Sequence, residues 1–294
     1  MVLVSISCIT YNHAPYIKEC LDGFLNQKCD FDYEILIHDD ASTDGTKEII
    51  EDYHKKFPNI IKPILQKENQ WSKGVRGINI QFNFPRAKGK YIALCEGDDY
   101  WTDPYKLQKQ VDFLEKNEDC NLVYHRVNIK DQEKNVIYPE LLNTKKEVIK
   151  RNLSELALYG NFMHTPSALF RNNLDFKQDY FKGNVGDYIL WFMNGIKGNF
   201  GYLPDIMAVY RLSENSTWGK KDFYFRANNW LYVIKTVKKI SPSIDISNNL
   251  NKQAYNLVFS EDLEEITIKK KLRLYLKLLK LEPRYIKKII CKYL

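Results

Sequence analysis

Apolar and polar residues along the first hundred positions fall into blocks that read alternately as strand and helix. Leu3 to Thr10 is an apolar, strand-like run. From about Pro15 to Asn26, the residues Tyr16, Ile17, Cys20, Leu21, Phe24 and Leu25 recur at the spacing of one helix face. Pro15 suits a first helical turn, where no backbone N–H is required. A second strand, Tyr33 to His38, leads into a helix from about Thr46 to Phe57 that would bury Ile49, Ile50, Tyr53 and Phe57. A third strand covers about Ile60 to Leu65, and a loop and helix through Asn79 and Phe84 precede a fourth, Tyr91 to Glu96. This alternation predicts a parallel sheet with helices packed on its faces.

Beyond residue 100 the pattern loosens. Asp103-Pro104 reads as the cap and first-turn proline of a helix from Tyr105 to Asn117, and strands are expected near Asn121 to Ile129 and Tyr202 to Arg211. The stretch between those strands is too mixed to divide into elements. From about Phe223 the pattern is helical, interrupted at Ser241-Pro242, and it closes on an amphipathic segment carrying Ile268, Leu272, Tyr275 and Leu279.

Composition narrows the class. With 294 residues and 44% hydrophobic content, the chain can bury one large core or two modest ones, which excludes a disordered protein and predicts one extended α/β unit with an appendage. The 14% of aromatic residues serves either a ring-stacking site or an aromatic-rich core. Six cysteines include no C-x-x-C pair and lie largely in apolar runs, as reduced, structural thiols do. Met1 to Thr10 has no secretory-leader pattern and no run approaches the ~18 apolar residues of a membrane span, so a cytoplasmic location is expected.

The net charge of +7 is concentrated at one end, because residues 266–294 carry ten Lys/Arg against one acid, Glu282, and residues 1–265 together sum to −2. A nearly neutral body offers no extended basic face to track phosphates, which argues against nucleic acid as a partner. The basic, amphipathic tail either lies on an anionic membrane at its inner face or packs its apolar stripe on the core as an ordinary surface helix.

Two acidic loops follow strand ends: Asp39-Asp40-Ala41-Ser42-Thr43-Asp44-Gly45 and Gly97-Asp98-Asp99-Tyr100-Trp101. Open α/β sheets bind ligands beyond the carboxyl ends of their strands, so both loops should face one cleft. Adjacent aspartates on a tight turn can ligate Mn²⁺ or Mg²⁺, whose shell is completed by substrate phosphates and water. Taken alone, an Asp-Asp pair is more often a solvated turn or a helix cap than a metal site, and Ser42, Thr43 and Asp44 suit capping better than ligand contact.

Four motifs in order, Ser7-Cys8-Ile9-Thr10-Tyr11-Asn12, Asp39 to Thr46, Ala87-Lys88-Gly89-Lys90-Tyr91-Ile92 and Glu96-Gly97-Asp98-Asp99, resemble glycosyltransferase family 2 over about residues 2–215. The resemblance implies a GT-A fold: a Rossmann-like mixed α/β sheet with flanking helices, here with a C-terminal helical extension. It implies a nucleotide-sugar-binding half at 1–100, an acceptor-binding half at 101–218 and a helical, basic region at 219–294. It further implies inverting transfer of a hexosyl or N-acetylhexosaminyl group, from a UDP-sugar or related donor, to a glycan or lipid-linked glycan hydroxyl in bacterial surface polysaccharide synthesis.

Carried over by position, Thr10, Tyr11 and Asn12 match the nucleotide pocket, and Asp40 the acceptor of a uracil-like N3–H, a role that suits an acceptor-only carboxylate. Asp98 matches the ribose or metal shell, Asp99 the direct metal ligand, and Asp187, in Val185-Gly186-Asp187-Tyr188, the base that takes the acceptor proton. Asp187 read by itself is also a helix cap. Arg76, Lys73 and Arg211 are candidate phosphate contacts or solvated cations, Trp101 a sugar platform or a packed ring, and His164 an acceptor-lining or structural residue.

Two departures matter. Tyr210-Arg211 is followed by Leu212-Ser213-Glu214 where family members often carry a His that reaches the metal or diphosphate, and no Q-x-x-R-W segment of the processive branch occurs, Arg226 to Trp230 being nearest. Two other readings stay open: a nucleotidyltransferase, although Ile6 to Ala14 lacks the glycine expected of a phosphate loop, and a non-catalytic membrane-binding scaffold.

Overall fold

The computed structural model of the chain describes residues 1–140, 149–212, 222–247, 266–281 and 283–285. In chain order, β1 (Val2–Thr10), α1 (Ile17–Leu25), β2 (Asp32–Asp39), α2 (Thr46–Lys56), β3 (Ile61–Leu65) and β4 (Tyr91–Leu94) form the alternating first half. Then come β5 (Tyr100–Trp101), α3 (Lys106–Lys116), β6 (Cys120–Asp131), β7 (Val136–Pro139), β8 (Lys150–Arg151), α4 (Leu153–Tyr159), β9 (Leu169–Arg171), α5 (Asp187–Lys197) and β10 (Asn199–Leu212). Helices α6 (Phe223–Ile240) and α7 (Ile268–Leu281) follow.

The described strands form one mixed sheet in the order β3-β2-β1-β4-β9-β6-β10-β5, with β7 on β6 and β8 on β10. Its first four strands are parallel, as the alternation predicts. The second half adds antiparallel pairs, β9 against both β4 and β6, which makes the sheet mixed.

Buried side chains divide between the two faces. Val4, Ile6 and Cys8 of β1 pack with Cys20, Leu21 and Phe24 of α1 and with Leu107, Val111 and Leu114 of α3. The intervening Ser5 and Ser7 face the other way, donating to Glu34 Oε1 and Asn79 Oδ1, both at 2.7 Å. Alternation on a strand enclosed on both sides explains a run that carries serines and still reads as core. The second cluster joins Ile92, Phe170 and Trp191 to Leu231 and Ile234 of α6 and Leu274 and Leu278 of α7, so the helical extension packs on the body through one apolar stripe.

Several boundaries move from their expected places. Tyr16 caps α1, which leaves Pro15 in the preceding turn, outside the helix. Tyr105 is the N-cap of α3, and Asp103 Oδ1 instead accepts the Tyr105 N–H at 2.7 Å. Strand β4 stops at Leu94, before Glu96, because the next residues leave the ladder to form the acidic turn. Five described cysteines, Cys8, Cys20, Cys29, Cys95 and Cys120, are free thiols, and Cys291 lies outside the described residues.

Fully buried Lys106 lies beneath Trp101, its ammonium 3.9 Å from the indole and 2.7 Å from Gln110 Oε1. Burial pushes Lys106 down to about 7 from an ordinary 10.5. The unfolded chain holds that proton more tightly, so stability rises with pH between those values and is lost as pH falls towards 7. Thermal melts of the Lys106→Met variant should lack this rise, whose limiting slope is about 1.4 kcal/mol per pH unit; an unchanged pH profile would contradict the assignment.

Candidate active site

The loops leaving β1 and β2 lock together through hydrogen bonds. Asn12 (φ 54°) and Ala41 (φ 64°) turn the chain in the left-handed region. Ser42 Oγ accepts the Asn12 N–H at 2.8 Å, Asn12 Oδ1 accepts the Thr43 N–H at 2.9 Å, and Thr46 Oγ1 accepts the His13 N–H at 2.8 Å. Asp44 accepts from the Ala14 N–H at 2.9 Å and the Thr46 N–H at 3.1 Å, while Asp39 accepts the Ser42 N–H and hydroxyl. Ser42 and Asp44 therefore clamp the two loops, while the expected capping is not seen: Gly45 is the N-cap of α2, with no side-chain cap bond. Thr10 Oγ1 is buried without a partner, and Tyr11 is 46% exposed.

Asp40 is buried, and its two carboxylate oxygens accept the Gln70 N–H at 2.7 Å and the Trp71 N–H at 3.0 Å. Arg76 closes the same loop: its guanidinium lies 4.0 Å from the Trp71 ring and donates to the Trp71 and Val75 carbonyls and to Asn184 Oδ1, each at 2.8 Å. In this structure Arg76 is a strut between loop 69–77 and Asn184. Lys73 pairs with Glu68 on the exposed side.

Glu96 to Asp99 form the acidic turn, and Arg211 of β10 secures it. The Arg211 backbone N–H donates to Asp99 Oδ1 at 2.7 Å, and its guanidinium, held between Tyr16 and Tyr100, donates to the Asp98 carbonyl and Glu19. Arg211 was a candidate phosphate contact; its side chain is instead spent on the turn. Trp101 is likewise buried, edge-on to Phe24 at 4.7 Å with Nε1 bonded to the Pro166 carbonyl at 3.0 Å, and is a packed ring rather than a sugar platform.

Four carboxylates meet around the Tyr210 ring. Burial pushes Glu96 up to about 8, helped by Asp98 and Asp187. Asp99 is raised well above the usual range by burial, then by Asp98 and Glu96. Tyr210, also raised by burial and by the charges of Asp99, Glu96, Asp98 and Asp187, stays a protonated phenol. Asp187 opens α5 as its first helical residue, after Gly186, rather than as the cap itself; Oδ1 accepts the Tyr188 N–H at 2.7 Å, and burial raises its carboxyl. His164 packs on Tyr210 with ring centroids 4.9 Å apart.

Asp98 Oδ1 and Asp99 Oδ2 are buried and unpartnered, which is the condition of ligands awaiting a cation. Hard oxygen donors in a cluster of repelling carboxylates fit Mn²⁺ or Mg²⁺. Among the described residues, no three His, Cys, Asp or Glu side chains form a ready-made metal cage, in keeping with cations that use substrate phosphates to complete their shell.

Glu96, His13 and Tyr210 are site residues that motif reading passed over. Glu96 stands two positions before Asp98, and a strand end followed by acids at such spacing was a usable signal; only the return of β10 brings Tyr210 and Arg211 to the turn. Ser213, at the departure from the family pattern, lies outside the described residues.

A family model described as Glycosyl transferase family 2 matches residues 5–175, more than half of the chain. An uncharacterized protein of Mycobacterium tuberculosis is 38% identical over 224 residues, which is 73% of this chain, and the chain spans about 60% of that relative's length. S. aureus TarS 1-349 in complex with UDP-GlcNAc has a TM-score of 0.70 at 16% identity, covering 98% of this chain and 84% of that one. Mannosyltransferase PcManGT from Pyrobaculum calidifontis, in complex with GDP-Man and Mn²⁺, has a TM-score of 0.57 at 17% identity, covering 99% and 84%. These structural likenesses show the GT-A fold.

Replacing Asp99 by Asn keeps an acceptor for the Arg211 N–H and removes a carboxyl whose ionisation in the folded chain is opposed by burial, Asp98 and Glu96. Without metal, Asp99→Asn should melt a few degrees higher, where ~1 kcal/mol corresponds to 2–4 °C, and it should lose any rise produced by Mn²⁺. Thermal unfolding with and without MnCl₂ measures both; a lower metal-free melting temperature would refute the like-charge account.

Proposed function

Since the chain belongs to glycosyl transferase family 2, we propose that it is an inverting glycosyltransferase that moves a sugar from a nucleoside-diphosphate donor, UDP-linked first among them, to a hydroxyl of a glycan or lipid-linked glycan. The observation that carries this reading is Asp187 at the start of α5, close enough to the acidic turn to raise Glu96. Residues 1–100 are the donor half, 101–218 the acceptor half and 219–294 the helical appendage of this proposal.

In the proposed reaction Asp187 takes the proton of the acceptor hydroxyl as that oxygen attacks the sugar C1. The bond between C1 and the phosphate oxygen breaks on the opposite face, and the nucleoside diphosphate leaves with the electron pair. A raised carboxyl pKa makes Asp187 a stronger base at neutral pH than an exposed aspartate. Asp98 and Asp99 would hold Mn²⁺ or Mg²⁺, which supplies positive charge against the departing diphosphate. Thr10, Tyr11 and Asn12 line the base in this reading. Each Asp40 oxygen still has a lone pair for a base N–H beside the loop amides it accepts.

A differential melting screen of UDP-, GDP- and dTDP-sugars with and without Mn²⁺ tests the donor. One of them should stabilise the fold in a metal-dependent way, and silence across the panel together with absent transfer sinks the reading. Asp187→Asn should keep that stabilisation and lose about 10²–10⁴ in kcat, whereas Asp99→Ala should lose both.

The tail supports a membrane-surface partner. Leu274, Tyr275 and Leu278 of α7 are buried, but Ile268 (83% exposed), Leu272 (56%) and Leu276 (50%) form a second, outward stripe beside the exposed cations Lys269, Arg273 and Lys280. An anionic bilayer satisfies both the stripe and the charge, at about 1 kcal/mol per cation. Among the described residues no helix is long and apolar enough to cross a membrane. The chain should co-sediment with phosphatidylserine-containing vesicles and not with neutral ones, and Leu272→Glu with Leu276→Glu should release it. Unaltered sedimentation of the double variant would remove α7 from the contact.

A further inference from the structure

His13 lies in the β1–α1 loop, with Tyr16 near both its ring and the Arg211 guanidinium, and the site described so far leaves it without a task. Its backbone is fixed at both ends: the N–H bonds Thr46 Oγ1 at 2.8 Å, and the carbonyl accepts the Tyr16 and Ile17 N–H groups at 2.9 and 2.8 Å. Nδ1 is buried and unpartnered. Nε2 stands 3.9 Å from Asp98 Oδ2, with the two side chains 23% and 20% exposed.

That separation is too long for a hydrogen bond. It is the separation of two atoms bound to one cation, since metal–nitrogen and metal–oxygen bonds of about 2.0–2.2 Å span up to roughly 4.4 Å across the ion. The turn reaches His13 only because residue 97 is glycine: a Cβ there would lie 2.5 Å from Thr10 Oγ1 and 3.1 Å from His13 Nδ1. On the far side of the same turn, Asp99 is 1% exposed and its Oδ2 has no partner. His13 Nε2 and Asp98 Oδ2 thus face each other across a gap the width of one cation.

From this geometry we propose that His13 is a protein ligand of the divalent cation, binding through Nε2 from the β1–α1 loop while Asp98 Oδ2 binds from the acidic turn. The inference rests on the proposed metal-dependent transferase, and it adds a consequence for metal choice. Imidazole suits first-row transition ions, whereas Mg²⁺ favours an all-oxygen shell, so His13 biases the site towards Mn²⁺. The ligands come from two loops, and a diphosphate bound between them would complete the shell.

The test uses the full chain with Mn²⁺ and inorganic pyrophosphate, a diphosphate without nitrogen. Pulsed electron paramagnetic resonance of the bound Mn²⁺ should show coupling to a directly bonded ¹⁴N. The coupling should vanish in His13→Gln and persist in His164→Gln, the nearby imidazole control. His13→Gln should also bind Mn²⁺ at least ~10-fold more weakly while its Mg²⁺ affinity changes less, narrowing the preference. Bound Mn²⁺ without nitrogen coupling, coupling that survives in His13→Gln, or failure of Mn²⁺ to bind would overturn the proposal. Nitrogen coupling without transfer from any nucleotide sugar would fell the transferase reading and leave His13 standing; transfer with a nitrogen-free metal shell would do the reverse.

Discussion

Asp98 and Asp99 sit where the folded chain would not hold them unaided, beside Glu96 and within electrostatic reach of Asp187, and Arg211 is what holds them. Its main-chain N–H fixes Asp99 Oδ1, and its buried guanidinium grips the Asp98 carbonyl and Glu19 between two tyrosine rings. Arg211 belongs to β10, which runs parallel to β6 and antiparallel to β5, so a residue distant in sequence arrives at the turn by strand pairing. Charge repulsion among the carboxylates is contained by this one buried cation and left unsatisfied at Asp98 Oδ1 and Asp99 Oδ2. That residual deficit of positive charge is what the proposed divalent ion would offset.

The rest of the cleft is built by loops that stabilise each other. Polar side chains of the β2–α2 loop accept the backbone N–H groups of the β1–α1 loop, so Asn12 and His13 are presented on a fixed backbone. Asp40 and Arg76 do comparable work for loop 69–77, one accepting its amides and the other bracing it against Asn184. Residues that carry family motifs are therefore part of the scaffold as well as candidates for ligand contact. A substitution at Asp40 acts on loop geometry as much as on any bound base, whereas Asp187 bonds the first turn of its own helix, as its proposed role apart from the donor requires.

Membership of glycosyl transferase family 2 and the GT-A fold limit what this arrangement can do. Carboxylates on both sides of one cleft divide the proposed labour, Asp98 and Asp99 towards the leaving diphosphate and Asp187 towards the acceptor hydroxyl. Tyr210 lies within electrostatic reach of all of them, a phenol that burial first, and then the nearby carboxylates, keep protonated. On the outside, α7 turns one apolar stripe inward and leaves a second exposed among cations, so the same helix completes the core and carries the surface proposed for a bilayer.

Much of the first half was legible from residue pattern alone. Apolar runs bounded by helical periodicity located β1, β2, β3, α1 and α2 to within a residue or two, because those elements are made by local burial on both sides of a parallel sheet. Position after a strand end placed Asp40, Asp98 and Asp99 in loops at the carboxyl ends of β2 and β4, since chain direction in a parallel sheet decides which edge its loops share. The motifs supplied the family. What sequence could not reach was every assignment that depends on which side chain is already occupied. Arg76, Arg211 and Trp101 each carry chemistry compatible with a ligand, and each is consumed by hydrogen bonds or packing to residues from other elements. His13 and Glu96 acquire their significance in the opposite way, from proximity to Asp98 and Asp187. Local pattern determines the elements and the ends of strands where polar groups emerge; tertiary packing decides which of those groups remain unpaired, and unpaired buried groups are the ones left to bind.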